Sequence, residues 1–136
     1  MPLRHKVKQK WEISFYQHNE HRCDTDDYLE KLSDEDYAEI AAKIQKLAEK
    51  GREGILSTIF HEAGEDYTLY KGHPNEIKCK MYGLHHKRHR LYAILIESQK
   101  IIIFTHGTLK RTQATDKKDK DRCKNIVKRL KEEGEL

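Results

Sequence analysis

Residues 75–112 read NEIKCKMYGLHHKRHRLYAILIESQKIIIFTHGTLKRT, and this stretch decides the fold. Ile77, Cys79 and Met81 alternate with Lys78, Lys80 and Tyr82, the period-two pattern of a strand with one buried face. LYAILI and KIIIF are nearly continuous apolar runs separated by a short ESQ turn, which suits central strands covered on both faces. Strands are therefore predicted over 76–82, 90–97 and 100–105. Residues 83–88 read as a loop rather than a two-residue hairpin.

Upstream, Trp11, Ile13 and Phe15 alternate with Glu12, Ser14 and Tyr16, predicting a strand over 11–16. Asp24 or Thr25 is placed to cap a short helix holding Tyr28, Leu29 and Leu32. Ser33 with Asp36 three residues on is a capping-box variant. Tyr37, Ile40, Ala41, Ile44, Leu47 and Ala48 then share one helical face, and Gly51 supplies C-cap chemistry. Residues 55–60 read as a short strand or extended connection, 61–67 as an exposed loop, and 70–75 as a turn. Downstream, Thr115 or Asp116 caps a last helix on which Cys123, Ile126, Val127 and Leu130 share a face. Residues 1–9 read as a loose basic arm. The layout is β–α–α–β-meander–α, an α+β domain over 1–136 with the helices expected on one face of a small twisted sheet. Trp11, Ile13, Phe15, Ile40, Ile44, Leu47, Ile77, Leu95 and Ile103 are its expected core.

The chain has 136 residues, 37% of them charged, against roughly 25% in typical globular domains. Its apolar residues are clustered and periodic, which argues against disorder throughout. The longest apolar runs fall far short of the roughly 20 residues that cross a bilayer, so no membrane is expected. The basic start lacks an apolar core and does not read as a signal peptide. Cys23, Cys79 and Cys123 have no metal-type spacing and fit a reduced, cytoplasmic protein, with Cys79 and Cys123 as small core hydrophobes. Charge is segregated: residues 12–70 hold six Lys/Arg and fifteen Asp/Glu, a balance of −9, whereas 71–131 hold seventeen and five, a balance of +12. Such a dipolar layout is an electrostatic footprint for a polyanion.

His85, His86 and His89 lie beside Lys87, Arg88 and Arg90 in GLHHKRHR. Neighbouring cations oppose a metal ion, so no metal and no cofactor is expected. This segment reads as a basic tip, solvated or in contact with nucleic acid through His85, His86, Lys87 and Arg88. Arg90 opens an apolar strand, where a charge needs a reason. Lys110 and Arg111 follow another strand directly after His106 and Gly107. Adjacent strands would collect such groups on one sheet face, suited to holding phosphates. RNA cleavage by the neighbouring 2′-hydroxyl needs proton transfer and neutralisation of a phosphorane-like transition state, for which histidines, lysines and arginines are competent.

The motifs WEISF at 11–15, NEIK at 75–78, HRLYAIL at 89–95 and THGTLKRTQATD at 105–116 resemble, in order and spacing, the phage-derived branch of the RelE/ParE toxin superfamily, related to HigB-type toxins. In that branch a W-x-I-x-F-like strand precedes two helices. A Y-E-L-R strand, a Y-R-hydrophobic strand and a glycine-phenylalanine segment with paired lysines follow, before a charged helix. Asn75 and His89 stand where aromatic residues are usual, Thr108 replaces the phenylalanine, and Asp116 occupies a proline position. The resemblance implies a toxin of a toxin–antitoxin system, a ribosome-dependent endoribonuclease (mRNA interferase) countered by a cognate helix-turn-helix antitoxin, with mRNA and the ribosome as partners. It points to Arg90 as phosphate clamp and to Lys78 and Lys80 as proton-transfer or transition-state groups; His89, which departs from the family pattern, is read from its own chemistry as a general acid or base. Lys110 and Arg111 would hold the flanking phosphate or ribosomal RNA. The same fold also hosts gyrase inhibitors and other non-catalytic binders. A plain nucleic-acid-binding module is the remaining reading.

Overall fold

The computed structural model describes residues 2–110 and 115–136. Six strands and three α-helices follow one another in it: β1 (Leu3–Lys8), β2 (Glu12–Tyr16), α1 (Asp24–Glu30), α2 (Asp34–Lys50), β3 (Phe60–Leu69), β4 (Ile77–His86), β5 (His89–Ile96), β6 (Ile101–Leu109) and α3 (Lys117–Glu132). They form one α+β arrangement around a sheet of order β1-β2-β6-β5-β4-β3. Neighbours are antiparallel except β2 and β6, which run parallel with Ile13 opposite Ile102 and Phe15 opposite Phe104. A parallel pair needs a long crossover, here everything from α1 to β5.

α2 forms as its sequence dictates. The Ser33 side chain accepts from the Asp36 N–H at 3.1 Å, and Asp34, Glu35 and Asp36 lie in the first turn, where negative charge complements the helix dipole. Gly51 ends it at φ +71°, beneath the Trp11 indole, where a side chain would collide. Its buried stripe is narrower than the sequence suggests. Ile40, Ile44, Leu47 and Ala48 are buried, whereas Tyr37 and Ala41 face solvent.

The expected core residues are all buried, and Cys79 and Cys123 are fully enclosed. The helices, however, do not share one face. α1 and α2 pack against Ile13, Phe15, Leu91, Ala93, Leu95 and Phe104, while α3 lays Ile126, Val127 and Leu130 on Ile94, Ile96 and Ile103. Burial on both faces explains the uninterrupted apolar runs of β5 and β6.

Four local readings need correction. Of the basic arm expected over residues 1–9, the described part is not loose: Leu3–Lys8 is an edge strand, with Leu3 buried and Arg4 and Lys6 paired to Asp26. Residues 61–67 are not a loop but the middle of β3. This second edge strand reads as polar because one side is open to water and its pairing is interrupted between Glu62 and Asp66. Of the two readings of residues 55–60, the separate strand fails and the connection holds for 55–59, which lead irregularly into β3. Finally, β4 continues to His86, and Lys87 and Arg88 alone make the turn into β5. Lys87 takes φ +54° there, a position at which glycine is common. The Arg90 guanidinium steadies this turn by donating to the Lys87 carbonyl at 2.8 Å and the His89 carbonyl at 3.0 Å.

Candidate functional site

Side-chain alternation sorts the expected site residues onto two faces. On β5, Arg90 shares its face with Tyr92, Ile94 and Ile96, the α3 side. On β4, His85 lies on that side with Cys79 and Met81, while Lys78 and Lys80 share the opposite side with Tyr82 and Leu84. Arg90 pairs across the strands with His85, whereas Lys80 pairs with Leu95. Five residues of β4 separate the two points, about 17 Å at roughly 3.4 Å per residue. Arg90 therefore does not share a phosphate with Lys78 and Lys80. Lys78 is exposed, and Lys80 lies 3.8 Å from Glu62, in a shallow groove flanked by Glu76 and Glu97.

What gathers around Arg90 is a set of histidines. An open cleft at the β4–β5 turn is lined by Lys43, Thr58, Ile59, His61, His85, His86, Lys87 and Arg90. His61 comes from the edge strand β3 and places its ring 4.2 Å, centroid to centroid, from that of His85. Burial, followed by the charges of Arg90 and His61, pushes the His85 imidazole down to about 4. It is thus neutral near pH 7 and able to accept a proton. Arg90 is 6% exposed, so most of its guanidinium is enclosed in the cleft wall and the turn. His61 was not among the residues expected from sequence. It lies in a segment without periodicity, and only the β3–β4 pairing brings it here.

Lys110 is not an open phosphate ligand. It is 6% exposed, and its Nζ lies 2.8 Å from both Asp116 Oδ2 and Asp119 Oδ2. Burial alone would depress this ammonium, but the two carboxylates outweigh it and hold it above its ordinary value. Asp119 also meets His106 Nε2 at 2.9 Å, and His106 Nδ1 meets Thr105 Oγ1 at 2.8 Å, with Cys123 Sγ 3.4 Å from that hydroxyl. A bulge makes this buried chain possible. Tyr92 opposes His106 and Ala93 opposes Phe104, so Thr105 is the extra residue and both it and His106 turn toward α3. Arg111, the other half of the expected pair, lies outside the described residues. Lys110 is therefore occupied by two carboxylates of its own chain.

On the α1–α2 side of the same turn, His86 and His89 meet acids. His86 Nε2 lies 2.9 Å from Asp36 Oδ1 and 3.0 Å from Glu39 Oε2, while its Nδ1 is 2.8 Å from Lys43 Nζ. A lysine ammonium only donates, so Nδ1 accepts and Nε2 carries the proton toward the carboxylates. Lys87 Nζ caps Asp36 at 2.7 Å. His89 Nδ1 bonds the Tyr28 hydroxyl at 2.7 Å and its Nε2 lies 3.8 Å from Asp36 Oδ2. Burial lowers the His89 imidazole against the pull of Asp36. The acids that the histidine-rich tip lacked in sequence thus come from α2. Arg88 is exposed, and its carbonyl accepts the Lys110 N–H at 2.8 Å.

The remaining basic surface is α3, which presents Lys117, Lys118, Lys124, Lys128, Arg129 and Lys131 to solvent. None of these is ion-paired among the described residues. No family model and no curated protein matches this chain. Among the described residues, no helix is long and apolar enough to cross a membrane.

Proposed function

We propose that this chain is a RelE/ParE-like toxin that cleaves mRNA on the ribosome, with its chemistry in the His61–His85–Arg90 cleft rather than on Lys78 and Lys80. One observation carries the reading: a neutral imidazole, a second imidazole in contact with it and an enclosed guanidinium line one open cleft. The segregated charge and the exposed basic face of α3 support it, as does the run of two helices, a four-stranded meander and a last helix that follows β2.

In this reading His85 takes the proton from a ribose 2′-hydroxyl. The 2′-oxygen then attacks the adjacent phosphorus, the bond to the 5′-oxygen breaks, and a 2′,3′-cyclic phosphate forms. Arg90 and Lys43 supply positive charge for the phosphorane-like transition state. His61 returns a proton to the departing 5′-oxygen. A cognate helix-turn-helix antitoxin would neutralise the protein by covering this basic side.

The test is tightly controlled expression of wild type and His85→Ala, with growth and mapped mRNA 5′ ends as readouts. Wild type should arrest growth and cut mRNA, and the variant should do neither while remaining folded. A second reading, a non-catalytic binder of the same fold such as a gyrase inhibitor, is favoured by the tethering of Arg90 to two carbonyls and the neutralisation of Lys110. Growth arrest without new mRNA ends selects it.

A further inference from the structure

We infer that Asp36, Glu39 and His86, joined by His89, form a binding site for a divalent transition-metal ion such as zinc, a site that borders the RNA cleft and shares His86, Lys43 and Lys87 with its lining. Asp36 and Glu39 are one helical turn apart on α2 and so project side by side. His86 reaches them from the end of β4. The three ligand atoms all lie within 4.8 Å of one another, and His86 Nε2 is already 2.9 Å and 3.0 Å from the two carboxylate oxygens. Such convergence on one point is what an ion of this class requires, since its bonds to nitrogen and oxygen run at about 2.0–2.2 Å.

The surroundings are also those of a metal centre. Ligating histidines have their other ring nitrogen fixed by a hydrogen bond, which sets the tautomer and ring plane. His86 departs from this in the ion-free protein, where Nδ1 accepts from Lys43 at 2.8 Å and Nε2 carries the proton; an entering ion takes the Nε2 position as that proton leaves to water, Nδ1 takes up a proton from solvent, and Lys43 turns to the His85 carbonyl that it already reaches at 3.3 Å. His89 Nδ1 is held by the Tyr28 hydroxyl at 2.7 Å, with Nε2 3.8 Å from Asp36 Oδ2, and its ring stacks at 9° to that of His86. Two imidazoles and two carboxylates select a borderline cation over magnesium or calcium, which take oxygen ligands. Lys43 and Lys87 are the opposing charges. Lys87 Nζ stands on Asp36 at 2.7 Å, but its side chain is 59% exposed and extends from a turn. An incoming ion exchanges with this ammonium, which swings into water.

The experiment is calorimetric titration of the full chain with zinc chloride, repeated with cobalt(II) chloride to read coordination by visible absorption. Saturable binding of one ion is expected, with cobalt bands of a four- or five-coordinate nitrogen–oxygen site. Glu39→Gln, at a half-exposed position, should keep the far-UV circular dichroism spectrum and weaken zinc binding by at least about tenfold. Lys87→Ala should tighten it by removing the competing cation, and His61→Ala should leave it unchanged. The inference is overturned by failure to saturate at one ion, by a smaller loss in Glu39→Gln, by no gain in Lys87→Ala, or by loss in His61→Ala. Because binding is measured without RNA, these outcomes stand apart from the test of cleavage.

Discussion

Replacing Asp119 by Ala removes the hub of the buried polar chain between β6 and α3. Two donors lose their partner together: the Lys110 ammonium, 2.8 Å from Oδ2, and His106 Nε2, 2.9 Å from Oδ1. Lys110 retains Asp116, but that carboxylate is 62% exposed and its pairing is screened by water. Removing one member of a buried, hydrogen-bonded charge pair costs about 3–5 kcal/mol, because the other charge stays enclosed. For a chain of this size that is a fall of roughly 10–20 °C in Tm. Urea unfolding followed by circular dichroism measures the loss. Adding Lys110→Met to Asp119→Ala should recover much of it, since no enclosed charge then remains. A loss below about 1 kcal/mol with an unchanged denaturant slope, or strictly additive single substitutions, would refute the network as the clasp of α3. The same hub sets acid sensitivity. Burial would raise the Asp119 carboxyl, but Lys110 and His106 outweigh it and hold it below its ordinary 3.8, while burial lowers His106 below its ordinary 6.5 despite Asp119. Both groups bind fewer protons folded than unfolded. Their stabilisation is therefore complete above pH 6.5 and is lost as pH falls, through the histidine first and the carboxylate last. Burial also lowers His18 and His85 to about 4, adding loss of the same sign between pH 6.5 and 4.

Lys78→Ala and Lys80→Ala should leave mRNA cleavage within about threefold of wild type, whereas His85→Ala should lower it by 10²–10⁴-fold, the range for loss of a positioned general base. Rates measured on ribosome-bound message check this, and a loss in Lys80→Ala comparable to that in His85→Ala would return the chemistry to the other face. RNA affinity should fall steeply between 50 and 200 mM salt if the basic face of α3 meets phosphates, as filter binding would show; a flat response would point to a protein partner. Gly107→Ala should destabilise by about 1–3 kcal/mol in thermal unfolding, because a Cβ there comes within 2.5 Å of Tyr28 Cγ, and the displaced tyrosine should release His89.

Strong local signals placed the central strands, the capped α2 and the amphipathic α3, although β4 runs on to His86 and the buried stripe of α2 is narrower than its pattern. Hydrophobic period fixes strand against helix, and a cap such as Ser33 needs only its own neighbours. The edge strands β1 and β3 were hidden because an edge needs few apolar residues and takes its hydrogen bonds from a partner remote in sequence. The cations of residues 75–112 were legible as residue types, but not as a site. Alternation along β4 and β5 sends Lys78 and Lys80 to one face and Arg90 to the other, and only the strand register reveals that separation. Likewise, the expectation that the histidine-rich tip has only cations for company held along the chain and failed in space, where α2 brings Asp36 and Glu39 to His86. The sequence by itself determined the inner strands of the sheet, the charge asymmetry and most of the buried apolar stripes, since these depend on local pattern. Only the tertiary structure decided which charges remain open to a ligand. Lys110 is cancelled by Asp119 and Lys87 by Asp36, while His61 reaches His85, because partners dozens of residues apart are chosen by packing rather than by spacing.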